Sequence, residues 1–297
     1  MAVSASDQKV CPMALTFFNP IYLENALRAA LDEDLGRAGD ITTLATIPNG
    51  RTATAVFAAR QPGVIAGLPI AEATFRIIDP SLKFEALVED GASVPGNRIP
   101  VARVSGDARS ILTAERVALN FMSRLSGIAT LTAKYVGLVA HTNAKICCTR
   151  KTTPGLRAFE KYAVRCGGAM NHRFGLDDAF LIKDNHIAVA GGIREALRAA
   201  KAAAGHLVKV EIEVDTLDQL RVVVDEGADF CLLDNMSVEM MAEAVKIAGG
   251  RVKLEASGGI NEKTVKAIAE TGVDLISSGA LTHSAPILDL GLDIEIA

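Results

Sequence analysis

No stretch of this 297-residue sequence is apolar for long enough to cross a bilayer, because charged residues interrupt every run well short of the ~20 residues a spanning helix needs. The opening residues also lack a basic segment followed by an apolar run and a cleavage site, so neither membrane insertion nor export is expected. Cationic excess is missing too. Lys and Arg number 31 against 35 Asp and Glu, a net charge of -4, which argues against a generic nucleic-acid surface. The five cysteines (Cys11, Cys147, Cys148, Cys166, Cys231) form an odd set without a CxxC pair, which supports neither a disulfide framework nor a zinc ribbon and suits a reducing cytoplasm. No two of the five histidines are spaced HxxxH or HxH, so spacing builds no metal site from them.

What is present is a chain that is 49% hydrophobic and 22% charged, without low-complexity tracts, able to bury a core as one large domain or two smaller ones. Residues 1 to 18 show no period and read as a loose arm. Asn19 and Pro20 then open a helix carrying Ile21, Leu23, Leu27 and Leu31 on one side and closing near Gly36. Gly39 to Thr43 is a loop by composition. Strands are predicted within 51 to 62 (TATAVFAA), at Val64 to Ala66, Leu82 to Val88 and Val101 to Val104, with a helix at Ile70 to Ile78. This strand-rich half suggests an antiparallel or mixed α+β unit. Asp107 can cap a helix reaching about Leu125, with Gly127 as its stop and a further helix at 128 to 141. On the first of these, Arg116 lies beside Glu115, Asn120 and Arg124, either as part of a solvated face or as a reach towards an anion.

From Ala144 the texture becomes a βα alternation. Strands are expected at 145 to 149, 179 to 182, 208 to 214, 230 to 233, 252 to 256 and 275 to 277, and helices at 158 to 166, 192 to 204, 216 to 226, 237 to 248 and 261 to 271. The expected fold is α/β: an incomplete parallel α/β barrel of about six strands, short of the eight of a full barrel. Polar residues fall at the carboxyl ends of these strands. They are Arg150 and Lys151, Lys183, Glu213, Asp234, Ser257-Gly258-Gly259, and Ser278-Gly279. In a parallel barrel such ends share one mouth, so these side chains should surround one cavity.

Within that set, Arg150-Lys151, Asn171-His172-Arg173 and Lys183 to His186 form cationic clusters suited to a polyanion. In Lys209 to Val214 the period of two turns Val210, Ile212 and Val214 towards the helices and Lys209, Glu211 and Glu213 inward. Buried carboxylates need partners. Glu211 is expected to pair with Lys209 or Lys183, while Glu213 and Asp234 could hold Mg²⁺ through water or accept hydrogen bonds from a diol. The glycine turn at 257 to 259, ahead of a helix capped by Asn261, and the turn at 278 to 280 match the phosphate site that barrels build from their last two βα loops. His172, His186 and His283 are site candidates; His141 and His206 read as surface helix ends.

The motifs TRKTTPGLR (149 to 157), KYAVRCGG (161 to 168), NHR (171 to 173), LIKDNH (181 to 186), LLDN (232 to 235), EASGGI (255 to 260) and GALTHS (279 to 284), with EDLG, GDITT and LSGIATLT earlier, resemble the quinolinate phosphoribosyltransferases. One departure is Cys148, where the family pattern has an aspartate. The resemblance implies an N-terminal α+β open-sandwich domain (19 to 127 plus 286 to 297) and a barrel catalytic domain (128 to 285). It implies a homodimer and the conversion of quinolinate and phosphoribosyl pyrophosphate, with Mg²⁺, into nicotinate mononucleotide, pyrophosphate and CO₂ for NAD biosynthesis. Arg116 would enter the neighbouring active site and join Arg150, His172 and Arg173 on the quinolinate carboxylates. Lys151 and Lys183 would serve the pyrophosphate end and the reacting centre, Glu213 and Asp234 the ribose hydroxyls or Mg²⁺. Ser257, Gly258, Gly259, Ser278, Gly279 and His283 would surround the 5′-phosphate. Two rival readings are a related enzyme with a different anionic acceptor and a non-catalytic paralogue.

Overall fold

The structure, a computed structural model, describes residues 18–295, so the expected arm at 1 to 18 lies outside it save for Phe18. Helix α1 (Pro20–Leu35) begins where the Asn19 side chain accepts the Ile21 N–H at 3.0 Å, and it buries Leu23, Leu27 and Leu31. The expected loop at Gly39 to Thr43 is instead the start of a short helix, α2 (Ile41–Thr46), capped by Asp40, whose carboxylate accepts the Thr43 N–H at 2.9 Å. Six residues are too few to show a helical period, and only the cap announces it.

Then follow β1 (Thr52–Ala59), β2 (Gly63–Val64), α3 (Leu68–Ile78), β3 (Lys83–Ala86), β4 (Ser93–Val94), β5 (Ile99–Asp107) and α4 (Ala108–Val139). Gly127 does not stop α4, which runs through it for 32 residues. A stopping glycine takes a left-handed backbone, and Gly127 is not among the residues with positive φ. It serves close packing, since a methyl group there would overlap the Pro286 carbonyl oxygen.

The chain continues through β6 (Lys145–Cys147), α5 (Arg157–Cys166), β7 (Phe180–Ile182), α6 (Asp184–Ala190), α7 (Ile193–Ala203), β8 (Val210–Val214), α8 (Leu217–Glu226) and β9 (Phe230–Asp234). It ends with α9 (Val238–Ala248), β10 (Lys253–Ser257), α10 (Val265–Glu270), β11 (Leu275–Ser277), α11 (Ala280–His283) and β12 (Leu290–Glu295). Helix α6 was not foreseen, because it has no buried face to leave a pattern. No helix among the described residues is long and apolar enough to cross a membrane.

Two compact units result. The first runs to Thr130, takes in Arg165–Gly167 and resumes at Pro286; the second comprises Leu131–Val164 and Gly168–Ala285. In the first, an antiparallel sheet of order β12-β1-β5-β3 places Phe57 edge-on to Phe75 at 5.8 Å and beside Phe84 at 6.2 Å, anchoring its core.

The second unit is a parallel sheet of order β6-β11-β10-β9-β8-β7 whose outer strands β6 and β7 are not paired with each other, the incomplete barrel expected. Its register aligns Glu213 with Leu232, Leu232 with Glu255 and Asp234 with Ser257. Alternation therefore puts Glu211, Glu213, Asp234, Glu255 and Ser257 on one face, while Val210, Ile212, Val214, Cys231 and Leu233 face the helices and are buried. Lys209 departs from its expected inward direction. It precedes β8, where alternation has not begun, and pairs at 2.7 Å with Asp229, which also accepts the Val210 N–H. Lys253 and Asp274 repeat the device at the start of β10.

Candidate active site

Because all six strands of the second unit run parallel, their carboxyl ends share one edge, and the polar residues singled out above collect there. Lys183 follows β7 and donates from Nζ to Glu213 on β8 at 2.8 Å. Asp234 and Ser257 end β9 and β10 in register, and the Asn235 N–H donates to the Ser257 carbonyl at 2.9 Å. Ser278 follows β11 and donates its N–H to the Cys147 carbonyl at the end of β6, at 3.1 Å. Gly279 lies against Lys151 and His283: a methyl group there would stand 2.9 Å from Lys151 Cδ and 3.0 Å from His283 Nε2. Thr282 closes the contact by donating to the Lys151 carbonyl at 2.7 Å.

Two further candidates have surroundings of their own. Arg116 belongs to the first unit, where it lines a cavity of about 430 Å³ with Arg60, Glu115 and Asp289. His186 is a local cap, its Nδ1 accepting the Lys183 N–H at 2.9 Å.

Two arginines keep donor atoms unpaired. Nε of Arg150 and Nε of Arg173 are both buried without a hydrogen-bond partner. Burial, and then the Arg150 charge, pull the Arg173 pKa down, against the opposing pull of Asp178 and Glu211. Two guanidinium groups held close together favour a bound anion, and their planar forks match carboxylates.

The glycine turn after β10 has a left-handed backbone at both Gly258 (φ 89°) and Gly259 (φ 64°), and a side chain at Gly258 would collide with the Asn235 amide. The helix expected from Asn261 begins only at Val265. Asn261 instead closes a turn, accepting the Lys263 N–H at 2.9 Å. With six residues in α10 and four in α11, the helices after these turns offer little dipole, and the groups available to an anion are the backbone N–H groups of the glycine turn.

Below the rim is a polar cluster that sequence reasoning only half anticipated. Glu211 pairs neither with Lys209 nor with Lys183; its Oε2 stands 3.1 Å from His172 Nε2, and Glu255 Oε1 stands 3.5 Å from the same nitrogen. Lys161, fully buried on α5, donates to the His172 carbonyl at 2.8 Å and to Cys148 Sγ at 3.1 Å. Burial and the Glu211 charge push the Glu255 carboxyl up to about 7. Burial disfavours a charged His172, but the Glu211 hydrogen bond and the two carboxylates outweigh it and raise the imidazole above its ordinary value. One signal for Glu255 was available in the sequence: it stands two residues before Ser257, on the same face of one strand.

Metal ligands present two choices. His172, Glu211 and Glu255 bring donor atoms within 4.8 Å of one another, below the rim. Glu213 and Asp234 supply hard oxygen donors at the rim itself, too few for an all-protein cage but suited to Mg²⁺ that keeps waters and takes substrate oxygens.

Comparison with known proteins agrees with this architecture. Residues 128–293 match the family model described as quinolinate phosphoribosyl transferase, C-terminal domain, and residues 40–126 the corresponding N-terminal domain. A curated relative named nicotinate-nucleotide pyrophosphorylase [carboxylating], from Mycobacterium leprae, is 47% identical over 275 residues, covering 91% of this chain and 96% of its own length. A Bacillus subtilis protein named probable nicotinate-nucleotide pyrophosphorylase [carboxylating] is 41% identical, covering 94% and 96%. The solved structure of the nicotinate-nucleotide pyrophosphorylase from Francisella tularensis superposes with a TM-score of 0.90 at 41% identity, covering 94% of this chain and 98% of that one. The chain belongs to the quinolinate phosphoribosyl transferase family.

Proposed function

We propose that this protein transfers the phosphoribosyl group of phosphoribosyl pyrophosphate to quinolinate with decarboxylation, giving nicotinate mononucleotide, pyrophosphate and CO₂ for NAD biosynthesis. Family membership supports the reaction. The observation that carries it into the site is the Arg150 and Arg173 pair, with buried unpartnered Nε atoms, at the same end of the sheet as two carboxylates and a glycine turn.

In this reading Arg150, His172 and Arg173 hold the two carboxylates of the pyridine and fix its ring nitrogen against the ribose carbon. Ser257, Gly258, Gly259, Ser278, Gly279 and His283 take the 5′-phosphate, and Lys151 the pyrophosphate. As the pyrophosphate leaves, positive charge grows on the ribose and negative charge on the leaving group. Glu213 and Asp234 answer the first, the two lysines the second. Lys183 is released from Glu213 when ribose hydroxyls take its place. Mg²⁺, held by Glu213 and Asp234 through water, would neutralise the leaving group when bound. Once the ring nitrogen is ribosylated it is cationic, so it stabilises the carbanion left on the neighbouring ring carbon when that carbon's carboxylate departs as CO₂, and a proton taken up at that carbon completes nicotinate mononucleotide. No organic cofactor is needed.

The same reading makes the protein a homodimer in which Arg116 enters the partner's site, located in a reducing cytoplasm that keeps Cys147, Cys148, Cys166 and Cys231 as thiols. Purified protein with quinolinate, phosphoribosyl pyrophosphate and Mg²⁺ should release equal amounts of CO₂, pyrophosphate and nicotinate mononucleotide. Equal or better use of nicotinate would assign it to a different acceptor, and binding of both substrates without release would make it a non-catalytic paralogue.

A further inference from the structure

His172 is held from several sides at once. Its carbonyl accepts from Lys161 on α5, its Nδ1 accepts the Arg173 N–H at 2.7 Å, and its Nε2 meets Glu211 on β8 and Glu255 on β10. With Nδ1 accepting, the proton sits on Nε2 and is directed at Glu211. The ring therefore has no freedom to turn, and the backbone from which the Arg173 side chain departs is fixed with it.

Both glutamates are buried, and each leaves its Oε1 without a hydrogen-bond partner. Stability alone favours apolar side chains at such positions, since an unsatisfied buried carboxylate is destabilising. Their presence on two different strands, converging on one imidazole nitrogen, has a simple explanation in the placement of that ring.

We propose that Glu211 and Glu255 are positioning residues: they act through His172, fixing its tautomer and orientation so that His172 and Arg173 present one rigid edge to the pyridine dicarboxylate. This rests on the assignment of His172 and Arg173 to that substrate. In this reading neither glutamate reaches the substrate: Glu211 sits one inward-facing position before Glu213 on β8, and the Glu255 side chain is 3% exposed against 14% for Glu213. The charged and titratable groups facing the ring are Glu211, Glu255 and Lys161, with Cys147 beside the two carboxylates. Glutamine at 211 or 255 keeps the size of the side chain and removes its charge, so each variant probes what the carboxylate does to the ring.

The test uses Glu211→Gln, Glu255→Gln, His172→Ala and the Glu211→Gln/His172→Ala double variant of the full chain. Ring ¹⁵N spectra of the free protein, taken at alkaline pH where the imidazole is neutral, should show a single Nε2–H tautomer for His172 in the wild type and a mixture in Glu211→Gln. Each single glutamine variant should raise the KM for quinolinate about tenfold while the KM for phosphoribosyl pyrophosphate stays within about twofold. In the His172→Ala background, Glu211→Gln should add less than about twofold. An unchanged ring spectrum, equal effects on both substrates, or a full additional effect in the double variant overturns the proposal. If Glu211→Gln does not fold, Glu255→Gln carries the same readouts. A metal ion retained at one per chain by the wild type and lost in Glu255→Gln also overturns it, in favour of a metal centre. If the wild type does not convert quinolinate, the assigned reaction fails, while the ring spectrum still decides whether the glutamates set the imidazole.

Discussion

The Lys183 ammonium and the Glu213 carboxylate, which lie 30 residues apart in the chain, meet at 2.8 Å across neighbouring strands, with the lysine half exposed. An ion pair so open to solvent contributes at most about 1 kcal/mol to stability. Lys183→Ala should therefore leave the thermal midpoint within a few degrees of wild type while lowering kcat by about 10² or more. Differential scanning fluorimetry beside steady-state kinetics checks both halves. A collapsed midpoint would make the pair structural.

Arg150 and Arg173 make the opposite trade. Each raises the cost of the other, so Arg150→Met should leave stability unchanged or slightly higher while raising the KM for quinolinate by about 10². Denaturant unfolding and kinetics on the same preparation test it, and a large loss of stability would mean that the repulsion is already neutralised.

The buried cluster under the rim sets a pH dependence of stability. Glu255 has its folded pKa raised from 4.5 to about 7, so between those values the folded chain keeps a proton that the unfolded chain has released. Its contribution is fully present below pH 4.5 and is lost as pH rises through 7, with a slope of up to about 1.4 kcal/mol per pH unit. His172, raised from 6.5, acts with the same sign: its contribution is full below 6.5 and lost above its folded value. Urea midpoints taken from pH 5 to 8 should fall with rising pH in the wild type and flatten in Glu255→Gln.

Gly127 is needed for its lack of a side chain. Although alanine is the better helix former, Gly127→Ala should destabilise the protein by about 1–3 kcal/mol, because its methyl group must displace Pro286. A gain in stability would mean that Pro286 yields freely.

If Arg116 serves the partner's site, Arg116→Ala and Arg150→Ala chains, each inactive alone, should recover up to about a quarter of wild-type activity when mixed and allowed to exchange. That fraction follows from random pairing, in which half the dimers are mixed and one of their two sites is intact. No recovery after proven exchange would place Arg116 outside a shared site.

The βα alternation, the rim and the parity of β8 beyond Val210 were legible because each leaves a period or a position at a strand end. The partners of Glu211 were not. Lysines near in sequence were the natural guess, yet the carboxylate meets a histidine from the segment after α5, and only the folded sheet brings that segment over β8. Gly127 misled for a related reason: a glycine that ends a helix and one that admits a neighbouring backbone look the same in a sequence. Asp40 and Asn261 exchanged expectations, the presumed loop holding the cap and the presumed cap closing a turn, because so few residues carry no repeat to read.

The pairing of β1 with both β5 and β12 also bears on how the chain is made. Val56 is synthesised long before its partner Asp293, so throughout translation of the intervening second unit β1 offers bare N–H and C=O groups along one border. That border is sealed only by β12, made more than two hundred residues after β1. A premature stop just before Leu290 would leave that border open and turn the newborn polypeptide into a seed for edge-to-edge aggregation.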